Sequence, residues 1–256
     1  MLRWPSMRPI DVVIPVEAKD YPMVALTVFS ARRHVAGVRD IHLVCPERDV
    51  GFLEDFLGHA EVRLHAEESF PYGEGILERL HHFKPRAGWY LQQVVKLCAP
   101  LDIPGMAEDV LALDGDVVFY QDTDFLPGGV PQYLTRKFRI IPYFEYIERN
   151  FGYPAQHPMS AVCHLMLFQR HVLRDMEAFL QERQGREAPL WDLLVAGLED
   201  EHLGMSEYET YFNFLHRFAD RYDFEVTESI TYEDLPRKAF STTREESYVA
   251  YHAYLK

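Results

Sequence analysis

The chain has 256 residues, 48% of them hydrophobic and 26% charged, with a formal net charge of −14. That length suits one α/β domain with a well-buried core. The charge argues against a nucleic-acid backbone or an anionic membrane as partner, and no apolar run reaches the roughly eighteen residues of a transmembrane segment. Asp11, Glu17, Lys19 and Asp20 interrupt any signal-like stretch behind the basic N-terminus, so a cytoplasmic protein is expected. Cys45, Cys98 and Cys163 are odd in number, far apart and without a CxxC pair. They are read as buried thiols of a reducing compartment, not as zinc ligands.

In chain order, residues 10–16 are almost wholly apolar and predict a strand buried on both faces. Residues 21–34 carry helical periodicity. Residues 41–45 predict a second strand stopped by Pro46, 49–57 a short helix and 62–65 a third strand. This alternation predicts a mostly parallel, doubly wound sheet flanked by helices. Residues 67–75, with Pro71, Gly73 and Gly75, are expected to be a loop. A helix is predicted from about residue 89 to Ala99, ended by Pro100, followed by a buried strand over 109–113 and extended chain over 117–120. Beyond Pro131 the expectations are a strand over 138–142, a helical turn over 145–151, a loop over 152–160, a strand over 163–168, and helices over 172–183 and 207–218. One domain is expected across 1–256, with a nucleotide-binding half up to about 125 and an acceptor-side half after it.

Asp114-Gly115-Asp116 closes the apolar run Leu111-Ala112-Leu113. The carboxyl end of such a strand is where open α/β sheets place ligands. Gly115 allows a sharp turn and close approach of a ligand to the backbone. Two carboxylates there are costly unless paired, and Mg2+ or Mn2+ bridging substrate phosphates is a natural partner for Asp114 and Asp116. The acidity of the chain sharpens the point. Two like charges about 4 Å apart repel by roughly 4 kcal/mol at an effective dielectric near 20, so a diphosphate beside these aspartates needs a cation between them. The bland alternative is a solvated Asp-Gly turn between two strands. An EF-hand is excluded, because Val118 and Phe119 stand where its loop needs an oxygen ligand and a glycine. A phosphatase-type nucleophilic aspartate expects the pair after the first strand of the fold, and here it comes later.

On the helix before this strand, Gln92 and Lys96 lie on one face at i and i+4, with Gln93 alongside. This stripe can reach a sugar hydroxyl or a phosphate, or it is simply an exposed polar face. In Ser206-Glu207-Tyr208-Glu209, Ser206 can cap a helix with Glu209 closing a capping box. Glu207 is then free to take a proton from an acceptor hydroxyl, or to favour the helix dipole. Glu207 and Asp116 are the candidate catalytic carboxylates. His81, His82 and His164 are read as structural or solvent-facing, and the acidic run at 199–201 as solvated surface.

Residues 89–125 resemble the corresponding stretch of GT-A glycosyltransferases, the Rossmann-like single-domain architecture of glycogenin-like and bacterial galactosyltransferase enzymes. Tyr90, Lys96, Pro104 and Asp114-Gly115-Asp116 carry the likeness. Pro15-Val16-Glu17-Ala18-Lys19-Asp20 and Ser206-Glu207-Tyr208-Glu209 extend it to a group of bacterial proteins of unassigned activity, predicted to be glycosyltransferases. The resemblance implies a nucleotide-diphosphate sugar as donor and a glycan or other hydroxyl compound as acceptor. The donor base would lie near Pro15, Lys19 and Asp20, its diphosphate on a cation at Asp114 and Asp116, and its sugar hydroxyls on Gln92 and Gln93, with Lys96 as a nearby cation and His252 completing the metal site. The glycogenin-like His-x-x-Gly-x-x-Lys-Pro-Trp segment is absent. A metal-dependent phosphohydrolase or nucleotidyltransferase, and a non-catalytic nucleotide-sugar-binding protein, are the rival functions.

Overall fold

The structure, a computed structural model, describes residues 8–58, 60–80, 86–198, 204–227 and 230–255. His81, His82 and the acidic run 199–201 lie outside them. The central sheet is built from β1 (Ile10–Pro15), β2 (Val38–Cys45), β3 (Val62–Ala66), β4 (Asp109–Leu113) and β7 (Leu165–Gln169), in the order β3-β2-β1-β4-β7. The first four are mutually parallel and β7 runs antiparallel to β4. The fold is the mostly parallel, helix-flanked α/β architecture expected.

Alternation along the strands feeds two cores. Val12, Ile14, Leu43, Leu111, Leu113, Leu165 and Leu167 face α1 (Tyr21–His34) and α2 (Val50–Leu57). Val13, Val44, Val110, Ala112, Met166 and Phe168 face the other way. There they meet α4 (Ala87–Asp102), α5 (Ile141–Phe151), α6 (Arg170–Gln184), α7 (Leu190–Ala196) and α8 (Glu207–Arg217). Because β1 leads outward to β2 and β3 on one side while β4 lies on its other side, the order reverses between β1 and β4. Their carboxyl ends open a crevice at that switch point.

Several local expectations are corrected. Residues 73–79 are a helix, α3, within and beyond the expected loop. Gly73 is there for space: a Cβ would stand 2.2 Å from the Glu67 carbonyl oxygen, while Ile76 and Leu80 bury against the core. Pro100 sits inside α4, not after it. It removes one amide from the last turn, and the Ile103 N–H closes that turn on the Ala99 carbonyl at 2.9 Å. No strand forms over 138–142. Pro142 instead opens α5, and Tyr143, Phe144, Ile147 and Phe151 recur at helical spacing on its buried face.

Helix α7 and the strands β6 (Gln132–Leu134), β8 (Glu225–Thr227), β9 (Tyr232–Pro236) and β10 (Tyr248–His252) were not anticipated. β9 and β10 join β5 (Val117–Phe119) in a second sheet, ordered β5-β10-β9. Tyr248-Val249-Ala250-Tyr251-His252 is therefore a strand buried along its whole length.

Candidate active site

Strand β1 ends at Pro15, and the turn after it carries Lys19 and Asp20. Strand β4 ends at Leu113, and the Asp114–Asp116 turn leads straight into β5. Gly115 packs tightly against the first turn, since a Cβ would lie 3.1 Å from both Asp20 Cβ and Val16 Cγ1. A cleft of about 280 Å³ opens here, and it brings together every residue that the sequence assigned to donor, metal or catalysis. Pro15, Lys19 and Asp20 line it beside Gln92, Gln93 and Lys96, with Asp114, Gly115, Asp116, Glu207 and His252 completing the wall.

Lys96 is 6% exposed, so the stripe on α4 is not a solvated helix face. Its ammonium donates to Asp114 Oδ1, to Glu207 Oε1 at 2.6 Å and to the Tyr208 hydroxyl at 3.1 Å. The Tyr208 hydroxyl in turn donates to Asp114 Oδ1 at 3.0 Å. Burial alone would push the Asp114 carboxyl up, but Lys96 and His164 outweigh it and hold it well below the ordinary carboxylate range. Burial likewise pulls Lys96 down, and the two carboxylates more than restore its charge. Glu207 ends raised, because burial and Asp114 overcome the pull of Lys96. Asp20 is pushed up to about 6 by burial, against Lys19 and the Glu17 backbone amide.

Ser206 caps α8, accepting from the Glu209 amide at 3.4 Å, but the Glu209 side chain does not close a capping box. It accepts instead from Ser160 Oγ at 2.5 Å and the Ala161 amide at 3.2 Å. Glu207 is not a free surface carboxylate. Its backbone amide donates to Gln93 Oε1 at 3.1 Å, which fixes the start of α8 against α4. The Gln93 Nε2 group is buried and has no hydrogen-bond partner.

Two residues that sequence reasoning set aside or missed join this cluster, His164 in the cleft wall and Asp234 against both histidines. His164, read as structural or solvent-facing, is 8% exposed and lines the cleft. It precedes β7 with φ +63°, a left-handed conformation rare for a non-glycine residue. Its Nδ1 lies 2.9 Å from Asp114 Oδ2. Its Nε2 stands 2.9 Å from Asp234 Oδ1 but out of hydrogen-bonding alignment, which leaves that buried atom without a hydrogen-bond partner. Asp234, on β9, was not singled out at all, and nothing in Tyr232-Glu233-Asp234-Leu235-Pro236 signals it.

His252 on β10 sets Nδ1 3.5 Å from Asp116 Oδ2 and Nε2 3.3 Å from Asp234 Oδ1. Burial would lower this imidazole, yet Asp116 and Asp234 raise it to about 9. Against the pull of burial, His164 is raised by Asp114 and Asp234 in the same way. Metal-ligating atoms of His164, Asp234 and His252 lie within 4.8 Å of one another. Imidazole nitrogens grouped with carboxylates, one of those nitrogens buried and unbonded, are a donor set that fits a divalent cation. Part of the lining is apolar: the Trp89 and Tyr143 rings stack at 6.4 Å, and Ile140 and Val162 line the same cleft. Trp89, next to Tyr90 on the same helix, was not assigned to the cleft from the sequence.

Among the described residues no helix is long and apolar enough to cross a membrane. Mouse xyloside xylosyltransferase 1, in its apo form, is similar in structure at TM-score 0.52 and 10% identity, over 97% of this chain and 98% of that one. The galactosyltransferase LgtC, in complex with donor and acceptor sugar analogs, aligns at TM-score 0.49 and 15% identity, over 95% of this chain and 87% of that one. The first of these, with the sheet order above, makes the fold that of a GT-A-like glycosyltransferase. No curated protein matches the chain. Over residues 7–243 the sequence matches DUF6492, a family of unknown function, and the chain belongs to that family.

Proposed function

We propose that this protein is a metal-dependent glycosyltransferase that moves a sugar, of hexosyl type, from a nucleotide-diphosphate donor to a hydroxyl acceptor. The observation that carries the reading is the convergence of the Asp114–Asp116 turn, Lys96, Glu207, Gln93 and His252 on one cleft at the β1/β4 switch point. A divalent cation bound beside that turn and His252 would offset charge on the departing nucleoside diphosphate. Pro15, Lys19 and Asp20 would receive the nucleoside end of the donor. The unbonded Gln93 Nε2, with Gln92 beside it, would donate to donor-sugar hydroxyls. Lys96 holds Asp114 and Glu207 in place together and would keep a positive charge near the donor phosphates or sugar. Glu207, its proton affinity raised by burial, would accept the proton of the acceptor hydroxyl. The Trp89–Tyr143 wall would seat the apolar face of an acceptor ring.

The test is a thermal-shift series with uridine, guanosine, cytidine and thymidine diphosphates, with and without manganese, on the wild type and Asp116→Asn. A ligand at about 100 times its Kd stabilises by roughly 2.7 kcal/mol. One nucleotide is expected to shift the melting point in a manganese-dependent way that the variant loses. With the matching donor sugar, release of nucleoside diphosphate marks a transferase, while release of inorganic phosphate or pyrophosphate would turn the reading to a hydrolase or nucleotidyltransferase.

A further inference from the structure

The atoms that would touch the cation can be assigned more closely than the Asp114–Asp116 turn suggests. Both oxygens of Asp114 are already engaged, Oδ1 by Lys96 and Tyr208 and Oδ2 by His164 Nδ1. The two histidines are oriented alike, although the hydrogen bond falls on Nδ1 in His164 and on Nε2 in His252. Each sets Nδ1 towards a carboxylate of the turn, His164 towards Asp114 at 2.9 Å and His252 towards Asp116 at 3.5 Å. Each turns Nε2 to the same oxygen, Asp234 Oδ1, at 2.9 and 3.3 Å. The other oxygen of Asp234 accepts from Arg136 at 2.9 Å, which fixes the direction of Oδ1.

An imidazole that gives its Nδ1 proton to a carboxylate presents a lone pair on Nε2, and such backing orients the ring and raises its basicity towards a metal. His164 shows the consequence: it is 8% exposed and its Nε2 has no hydrogen-bond partner. Its ring is aimed by a backbone with φ +63° whose carbonyl accepts the Asp114 amide at 3.0 Å. Such a conformation persists only where its surroundings over-determine it.

We propose that the divalent cation of this protein is ligated by His164, His252 and Asp234, and that Asp114 and Asp116 stand behind the two imidazoles and orient them. This deepens the proposed function and rests on it for the need of a cation, while the site itself is defined without donor or acceptor. Two imidazoles and one carboxylate select a transition-metal ion such as manganese, iron, cobalt or zinc over magnesium and calcium, which favour all-oxygen sites.

The test is manganese binding by the full chain with no nucleotide present. Electron spin-echo spectroscopy of the bound ion is expected to show two imidazole nitrogens, and excess magnesium is expected not to displace it. Asp114→Asn keeps an oxygen to accept the His164 proton and is expected to weaken manganese binding about tenfold. Asp234→Asn, which loses a ligand, is expected to weaken it by more. A single nitrogen coupling in the wild type overturns the assignment, as does a larger loss in Asp114→Asn than in Asp234→Asn. So does a folded wild-type chain, checked by circular dichroism, that binds no manganese; its histidines would then be protonated partners of the three carboxylates. Nucleoside diphosphate binding is measured in parallel with manganese present: a chain that takes up manganese as expected but no nucleotide fails at the donor site alone. Failure of the cation site is thereby told apart from failure of the donor site.

Discussion

Carboxylates are buried at both ends of β1 and β4, and the two ends treat them differently. At the amino ends, Asp11 is fully buried and Asp109 is 1% exposed. Arg39 grips Asp11 with a two-pronged fork, through Nε at 2.8 Å and Nη2 at 2.5 Å, and the Ala107 amide adds a third bond at 2.7 Å. Arg8 forks Asp109 in the same way, and Gln169 adds a bond at 3.0 Å. At the carboxyl ends the partners of Asp114 and Asp116 are a lysine and two histidines. A guanidinium is a permanent, planar clamp, whereas an ammonium is a point charge and an imidazole can trade its proton for a metal. One end is closed for stability and the other is held by groups that can exchange partners. Asp11 also lies beside Asp40 and His42 at metal-ligand spacing, but its oxygens are already engaged by Arg39 and by the Ala107 and Asp40 backbone amides.

The contrast can be broken most severely at Lys96. Lys96→Met leaves the buried Glu207 and the part-buried Asp114 without their cation, and breaking a buried pair costs about 3–5 kcal/mol. Urea unfolding should show that loss, and a nucleoside diphosphate at high concentration should no longer shift the melting point. Arg39→Met removes the fork from Asp11 but leaves the Ala107 amide in place, and the arginine itself is partly exposed. The expected loss is smaller, about 2–3 kcal/mol, with nucleotide and manganese binding unchanged. Equal damage to binding from both variants would erase the distinction between the two ends.

The smallest effect concerns the pair between them. His42 Nδ1 and His65 Nε2 are 2.9 Å apart across β2 and β3, a contact that requires one neutral ring. Burial, reinforced by His65, lowers His42 to about 4. The folded chain therefore binds fewer protons there than the unfolded chain between pH 4 and 6.5, and stability falls as pH drops through that window. Discounted for a half-buried site, the loss is about 1–2 kcal/mol. His42→Phe should flatten that part of the melting-point curve, and an unchanged slope would assign it to other groups.

Much of the frame was legible in the sequence because it rests on local chemistry. Residues 21–34 form a helix over the span their periodicity predicts, and Asp114 follows a run of apolar residues that had to be a buried strand. Helix α7 was also legible, since Pro189 and Gly197 flank it, but it was passed over. The rest depends on distant partners. β9 has no alternating apolar pattern and exists because it pairs with β10, so Asp234 carried no signal of its own. His164 owes its place to a left-handed backbone that no side-chain pattern announces.

The chain leaves the central sheet at Leu113 and enters the second sheet at Val117, with only the Asp-Gly-Asp turn between. That turn is a corner joint: β4 is laced to β1 and β7 on one side of it, and β5 to β10 on the other. Neither aspartate can drift without tearing a ladder, so the chemical centre is fixed as firmly as any core residue. Segments farther out, such as residues 152–159 outside both sheets, can change in length and composition while the joint stays where it is.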